Sequence, residues 1–105
     1  MKAVHNKLVR DKIVKIIEDS GKCANYSILS SYDYLQALVK KDQEELKELI
    51  EANANVEEEL ADKLEVLLAM IKYYGYDFEN IVKLASEKRE KRGSFDKGIF
   101  LIDVE

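Results

Sequence analysis

Apolar residues recur at helical spacing in four separate stretches of the chain, and the first stretch is short. Ile13, Ile16 and Ile17 share one helical face, and Gly21 stands where a left-handed cap would end the helix. Residues 22–30 follow without a clear period. The sequence leaves that segment open between a brief extended piece and a loop.

The second stretch predicts a long helix that begins at one of two serines. Ser30 followed by Asp33, or Ser31 as the cap itself, would satisfy free amides at the helix start. The apolar stripe continues to Ala52 and contains Leu35, Leu38, Val39, Leu46, Leu49 and Ile50. Glu45 falls at the flank of this stripe, about 80° from its centre. Asp42 falls within the stripe, and because a buried carboxylate is costly without a partner, we expect an accessory ligand or a residue facing a polar cavity.

A short polar break separates the second helix from the third. Residues 53–55 interrupt the apolar pattern, and Asn55 with Glu58 predicts an asparagine version of the capping box. The connection is so short that the two helices should form an antiparallel hairpin. From Leu60 to Tyr74 the third helix is apolar over most of its circumference. That pattern predicts a central helix that leaves little of its surface to solvent.

The last part of the chain predicts a fourth helix and a tail. Gly75 ends the third helix, Asp77 can cap the fourth, and Gly93 closes it after a basic run. The tail at residues 98–104 is short and β-branched, which predicts a short strand or an extended arm. Its natural partner is the segment at residues 4–9 or another subunit.

These elements predict an all-α protein, a four-to-five-helix bundle protomer in one domain that covers residues 1–105. The composition of 47% hydrophobic and 36% charged residues excludes a generic disordered chain. No apolar run is long enough to span a bilayer and no signal peptide begins the chain, so we expect a cytoplasmic protein without a membrane partner. Cys23 is the only cysteine, which excludes an intrachain disulfide and a thiolate zinc site.

Charge is strongly segregated behind the net value of −4. Residues 1–22 hold six basic and three acidic side chains, residues 42–65 hold two and ten, and residues 83–97 hold six and three. A nucleic-acid polymer is a poor partner, because the acidic middle would repel its phosphates. A small phosphorylated substrate with a bound metal ion would use both signs of charge.

Two acidic signatures flank the predicted turn at equal distances. Glu45 and Glu48 precede it, Glu59 and Asp62 follow it, and both nested pairs are centred between residues 53 and 54. In a helical hairpin the four carboxylates could meet in two opposed layers, Glu48 facing Glu59 and Glu45 facing Asp62. Oxygen ligands without cysteine or a nearby histidine suit Mg²⁺, with Mn²⁺ as an alternative.

Other catalytic patterns are missing from the sequence. His5 is the only histidine, so no histidine triad or histidine zinc site can form, and the four glycines make no phosphate-binding loop. Phosphate would therefore depend on the metal and on basic side chains. The available cations near the two ends are Lys7, Arg10, Lys12, Lys88, Arg89, Arg92 and Lys97.

The acidic signatures, in the contexts of residues 43–49 and 58–66, resemble those of the MazG-like all-α nucleoside triphosphate pyrophosphohydrolases. Residues 6–13 (NKLVRDKI) and 91–101 (KRGSFDKGIFL) resemble the predicted house-cleaning subgroup, which is related to phosphoribosyl-ATP pyrophosphohydrolase. The resemblance covers nearly the whole chain. The chain departs from the subgroup pattern at Val14, where proline is common, and at Ser94, where a second glycine is common.

The resemblance implies an Mg²⁺-dependent enzyme that hydrolyses a non-standard nucleoside triphosphate to the monophosphate and pyrophosphate. It implies Glu45, Glu48, Glu59 and Asp62 as metal ligands, and a homodimer or larger homo-oligomer. We expect water to attack the α-phosphorus, with Glu48 as the first candidate for general base and Glu45 as the second candidate catalytic residue. The candidate substrate contacts are Lys7, Arg10, Arg89, Arg92 and Lys97.

Two other functions remain open on the sequence alone. One is phosphoribosyl-ATP pyrophosphohydrolase activity. The other is a non-catalytic helical oligomer in which the acids form interhelical salt bridges with the basic ends. A cation-dependent rise in melting temperature would separate the metal site from the salt-bridge cluster.

Overall fold

The structure is a computed structural model that describes residues 2–105, and all regular structure in these residues is helical. The four helices are α1 (Ile13–Asp19), α2 (Ser31–Glu51), α3 (Val56–Tyr73) and α4 (Phe78–Arg92). No strand occurs in residues 2–105. The all-α class is therefore confirmed, with four helices. Among the described residues, no helix combines the length and apolar character that a membrane crossing requires.

Local side chains and backbone conformations define most of the helix ends as the sequence predicts. The Ser30 hydroxyl accepts a hydrogen bond from the Asp33 amide at 3.3 Å, and the Asp77 carboxylate accepts one from the Glu79 amide at 3.1 Å. Both contacts satisfy an otherwise free amide in the first helical turn. After α1, Gly21 adopts φ +88°, the left-handed region that ends a helix without steric cost.

The predicted capping box at Asn55 is wrong. Asn55 is left-handed, with φ +61°, and its side chain makes no capping hydrogen bond. Its backbone carbonyl instead accepts from the amides of Glu58 and Glu59 at 3.0 and 3.2 Å. A side-chain cap needs an extended backbone at that position, whereas this short turn uses the tolerance of asparagine for the left-handed region.

The main helix–helix interface lies between α2 and α3. At one end of this interface the first turn of α2 contacts the last turn of α3: the Ser31 hydroxyl lies 3.4 Å from that of Tyr73, and the Tyr34 and Tyr73 rings lie 6.1 Å apart. Leu38 of α2 is only 2% exposed and forms the centre of a small core with Val66 and Ile71. Helix α4 contacts α3, and α1 packs against no other helix in the described chain.

The side of α2 that packs against α3 is not the centre of the predicted stripe. Val39, Leu46 and Ile50 are 43%, 43% and 74% exposed, whereas Glu45 is 5% exposed. Only one helix covers α2, so its apolar stripe is wider than the surface it buries. Glu45, predicted at the flank of the stripe, lies inside the interface.

The tail after α4 is extended and highly exposed. Phe95 is 99% exposed, and Phe100 and Ile102 are 88% and 85% exposed. Of the two predictions for this segment, the short strand is wrong within residues 2–105, since no strand pairing with residues 4–9 occurs there. A β-branched tail needs a neighbouring strand edge to become a strand, and the described part of the chain offers none.

The chain is much less compact than its length predicts. Its radius of gyration is 18.2 Å, against about 13 Å for a compact chain of this size. Leu60, Leu64 and Leu67 of α3 are 53%, 46% and 47% exposed. The expectation that α3 leaves little surface to solvent therefore fails within one protomer, because α2 and α4 cover only part of its circumference.

Truncation of the buried leucine of α2 tests this packing. We expect Leu38→Ala to lower the free energy of unfolding by about 2–5 kcal/mol, because it removes a fully buried side chain and leaves a cavity. Leu46→Ala, on the same helix but 43% exposed, is the matched control and should cost clearly less. Urea unfolding followed by circular dichroism measures both, and equal losses would contradict the assigned core.

Candidate metal centre

Three of the four predicted metal ligands lie together between α2 and α3. Glu45 and Glu48 of α2 and Glu59 of α3 each place one carboxylate oxygen within 4.8 Å of the others. Glu45 is buried, Glu59 is half-buried and Glu48 is exposed. These three residues are called the acidic cluster below.

The local sequence explains why these three carboxylates meet. Glu45 and Glu48 are three residues apart and share one face of α2. Glu59 is the fourth residue of α3, and only residues 52–55 separate the two helices. A connection of that length keeps the last turns of α2 beside the first turns of α3.

Two oxygens of the acidic cluster are buried and have no hydrogen-bond partner among residues 2–105. They are Oε2 of Glu45 and Oε2 of Glu59. The other oxygen of Glu45, Oε1, lies 3.3 Å from the ammonium group of Lys41. A buried carboxylate oxygen without a partner is costly, by about 1–3 kcal/mol or more for a charged group. A positively charged ligand between the three carboxylates would remove that cost.

Burial raises the pKa of Glu45 above its ordinary value of 4.5. The hydrogen bond from Lys41 acts in the opposite direction, and the negative charge of Glu48 adds to the increase. The ionised form of Glu45 is thus disfavoured by its surroundings. A proton or a cation can supply the missing positive charge.

Asp62, the fourth predicted ligand, does not belong to the acidic cluster. Its Oδ1 accepts a hydrogen bond from Arg10 Nη2 at 2.7 Å. Asp42, expected as an accessory ligand or beside a polar cavity, forms an ion pair with Lys63 of α3 at 2.8 Å. The arrangement therefore presents three carboxylates together, with Asp62 held one helical turn away from Glu59.

The predicted substrate cations fall into two groups. Lys7 lies 3.5 Å from Glu44, and Arg10 contacts Asp62, so both lie beside the acidic residues. Arg89 and Arg92 lie in the last turn of α4, and Lys97 lies beyond it. No ion pair of the described residues joins these three to an acid. Lys7 and Arg10 thus contact acids outside the acidic cluster, and none of the five predicted substrate cations forms an ion pair with the acidic cluster itself in the described chain.

Sequence reasoning missed several lysines of α2. Lys41 is not among the predicted site residues, although it stands four residues before Glu45, a spacing at which opposite charges meet on a helix. Lys40 and Lys47 line an open cavity of about 410 Å³ together with Lys7 and Glu44. His5, Asn6 and Gln43 complete its lining. The regular spacing of residues 40, 43, 44 and 47 on one face of α2 was the available signal.

The donor set fits a hard divalent cation. All three side chains offer carboxylate oxygens, the ligands that Mg²⁺ and Mn²⁺ prefer, and two of those oxygens are buried and unpartnered. Comparison with protein-family models, curated proteins and solved structures finds no match.

The raised pKa of Glu45 predicts a specific pH dependence of stability. In buffer without divalent cations, the folded protein holds a proton on Glu45 at pH values where the unfolded chain has released it. The free energy of unfolding should therefore fall as the pH rises from 4.5 through the raised pKa. Urea titrations across this range measure the slope.

The substitution Glu45→Gln should remove that part of the slope. Glu57→Gln is the control, since Glu57 is an exposed acid in the first turn of α3 and lies outside the acidic cluster. An unchanged slope in Glu45→Gln, or the same change in Glu57→Gln, would contradict the assignment.

Proposed function

We propose that the protein is an Mg²⁺-dependent nucleoside triphosphate pyrophosphohydrolase that releases a nucleoside monophosphate and pyrophosphate. The observation that carries this proposal is the pair of buried, unpartnered oxygens of Glu45 and Glu59 beside the exposed Glu48. The family resemblance of the acidic signatures and of both flanks supplies the reaction class. A damaged or otherwise non-standard nucleotide is the proposed substrate.

The residues of the acidic cluster have different roles in this proposal. Glu45 and Glu59 hold the cation, since their buried oxygens lack other partners. Glu48 is exposed, so it can also reach a water molecule and accept its proton as general base. When bound, Mg²⁺ supplies charge neutralisation for the phosphates and acidifies a water molecule.

The lysine-lined cavity is a suitable place for the phosphates of the substrate. Lys7, Lys40 and Lys47 line it, and so does Glu44, the residue that precedes Glu45 on α2. Lysine ammonium groups offset phosphate charge that the cation does not neutralise. The amides of Asn6 and Gln43 could hydrogen-bond the sugar or base.

We further propose that α2 and α3 form an antiparallel hairpin whose open side is covered by a second copy of the chain. The accessible surface of 9895 Å² exceeds that of a compact protein of this mass by roughly 3,900 Å². Obligate dimer interfaces bury about 2,000–5,000 Å² in total. The exposed leucines of α3 supply apolar surface for such an interface, and Arg89, Arg92 and Lys97 could then reach the site from the partner.

A second candidate function is a non-catalytic oligomer with a structural acidic cluster. It is favoured by the ion pairs that already engage the acids: Lys41 with Glu45, Lys63 with Asp42, and Arg10 with Asp62. These pairs leave Oε2 of Glu45 and Oε2 of Glu59 without partners. For that reason the metal site is the better account.

The hydrolysis proposal predicts the products and the effect of one substitution. Purified protein with Mg²⁺ should release pyrophosphate from at least one member of a panel of ordinary nucleotides, damaged nucleotides and phosphoribosyl-ATP, and excess chelator should abolish the reaction. Glu59→Gln should lower the rate by about a hundredfold, the upper end of the effects seen around metal ligands. Product chromatography measures both.

Glu57→Gln is the matched control for that experiment, because it changes an exposed acid of the same helix and should keep the wild-type rate. Release of orthophosphate in place of pyrophosphate would contradict the reaction type. Equal rates in wild type and Glu59→Gln would contradict the site.

Thermal unfolding separates the metal site from the structural cluster. A cation at 100 times its Kd stabilises the folded state by about 2.7 kcal/mol, which corresponds to a rise in Tm of about 10 °C or more for a domain of this size. We expect Mg²⁺ or Mn²⁺ to produce such a rise in wild type and a much smaller one in Glu45→Gln. A salt-bridge cluster without a metal site predicts no rise in either protein.

A further inference from the structure

We propose that Arg10 is an exchangeable counterion of Asp62. In the cation-free protein the guanidinium group holds the Asp62 carboxylate, and a divalent cation in the acidic cluster displaces it, so that Asp62 joins the ligands and Arg10 is released. This inference rests on the metal centre of the proposed function. It concerns the order of events at that centre.

The position of Asp62 on α3 makes the exchange short. Asp62 lies three residues after Glu59, on the same side of the helix one turn further along. Its side chain is 44% exposed, and only its Oδ1 contact with Arg10 Nη2, at 2.7 Å, is recorded among its polar contacts in the described chain. Loss of this one contact therefore leaves the Asp62 side chain able to rotate, and in the proposed exchange it turns towards the acidic cluster.

The three carboxylates of the acidic cluster do not complete the coordination of a divalent cation. Three carboxylates reach the centre, whereas Mg²⁺ and Mn²⁺ prefer about six oxygen ligands and take the rest from water or further side chains. Oε2 of Glu45 and Oε2 of Glu59 already lack partners there. A cation bound there would therefore attract a further carboxylate, and Asp62 lies one helical turn from Glu59.

The Arg10 contact is weak enough to be exchanged. Arg10 is 57% exposed on its side chain, and ion pairs between exposed groups contribute little to stability because water competes for both partners. A divalent cation offers a carboxylate a much stronger electrostatic partner than a hydrated guanidinium does. The Asp62 carboxylate therefore prefers a bound divalent cation to the Arg10 guanidinium.

Release of Arg10 also loosens the amino-terminal strap, defined as residues 7–12. Two ion pairs join this strap to the helices: Lys7 with Glu44 of α2 and Arg10 with Asp62 of α3. Helix α1, which follows the strap, packs against no other helix. Loss of the Arg10 contact thus removes the recorded ion pair between the strap and α3.

The exchange gives Arg10 a second role. A guanidinium group freed beside the metal centre is available for a phosphate oxygen of the substrate, which it binds through two parallel hydrogen bonds. Cation binding would then precede and prepare phosphate binding. Arg10 acts as a positioning residue before the substrate arrives and as a phosphate contact afterwards.

Calorimetric titration of the whole chain with Mn²⁺ alone tests the competition. Arg10→Gln should bind Mn²⁺ about two- to fivefold more tightly than wild type, a factor of the size expected from removal of an exposed ion pair. Lys15→Gln is the matched control, because it also removes one positive charge and one exposed ion pair, with Asp19, but lies within α1 away from the acidic cluster. Its Mn²⁺ affinity should stay close to that of wild type.

Hydrogen–deuterium exchange supplies a readout that a merely structural role of Arg10 would not produce. Mn²⁺ should accelerate exchange of the strap in wild type while slowing it in α2 and α3 around the acidic cluster. In Arg10→Gln the strap should exchange rapidly with or without Mn²⁺. Asp62→Asn should release the strap without Mn²⁺ and should also bind the ion more weakly.

Two results would overturn the exchange. One is equal or weaker Mn²⁺ binding by Arg10→Gln relative to Lys15→Gln, and the other is a strap whose exchange does not respond to Mn²⁺. Neither depends on hydrolysis. Mn²⁺ binding with release of the strap but no pyrophosphate product would leave the exchange intact and remove the proposed function, whereas Mg²⁺-dependent hydrolysis with an unresponsive strap would do the reverse.

Discussion

The burial of Glu45 between α2 and α3 is the constraint on which the rest of the site depends. Its side chain occupies the interface that also contains Leu38, and one of its oxygens has no partner there. An apolar residue at this position would pack without that electrostatic cost. The helix pair thus places a charged group where stability alone would not, which is typical of a site that binds a positively charged ligand.

Surrounding residues limit this cost without removing it. Lys41 neutralises one oxygen of Glu45, and Lys63 and Arg10 engage Asp42 and Asp62. The two unpartnered oxygens belong to Glu45 of α2 and Glu59 of α3, and a small cation could contact both carboxylates at once. The chain is also extended, and a site between only two helices needs further cover to exclude water. The exposed leucines of α3 are an apolar surface on which another element could pack and exclude that water.

The sequence predicted the helices well and the burial poorly. Capping signals and glycines act locally, so Ser30, Asp77 and Gly21 correctly marked three helix ends. The prediction at Asn55 was wrong because asparagine favours two local structures, a side-chain cap and a left-handed turn. In this short connection it adopts the left-handed turn. The apolar stripe of α2 did not predict the burial of Glu45. Periodicity shows which residues share a face, but not which part of that face a single neighbouring helix covers.

The candidate site shows the same difference between local signals, which the sequence reveals, and long-range contacts, which it does not. The spacing about the short connection predicted that Glu45, Glu48 and Glu59 lie close together, as they do, whereas Asp62, predicted to face Glu45, contacts Arg10 and lies outside the acidic cluster. The partner of Asp62 could not be predicted, because Arg10 is distant in sequence and reaches α3 through an irregular segment. Arg89 and Arg92 lie in the last turn of α4 and Lys97 lies beyond it, and no ion pair of the described residues joins them to an acid.

The most direct measurement is an anomalous difference map from crystals of the protein grown with Mn²⁺ and collected near the manganese absorption edge. The account predicts a strong peak between Glu45, Glu48 and Glu59, within bonding distance of the two carboxylate oxygens that lack other partners. A map with no peak there, at Mn²⁺ concentrations that saturate the calorimetric titration, would contradict it, and so would manganese bound only to exposed acids elsewhere.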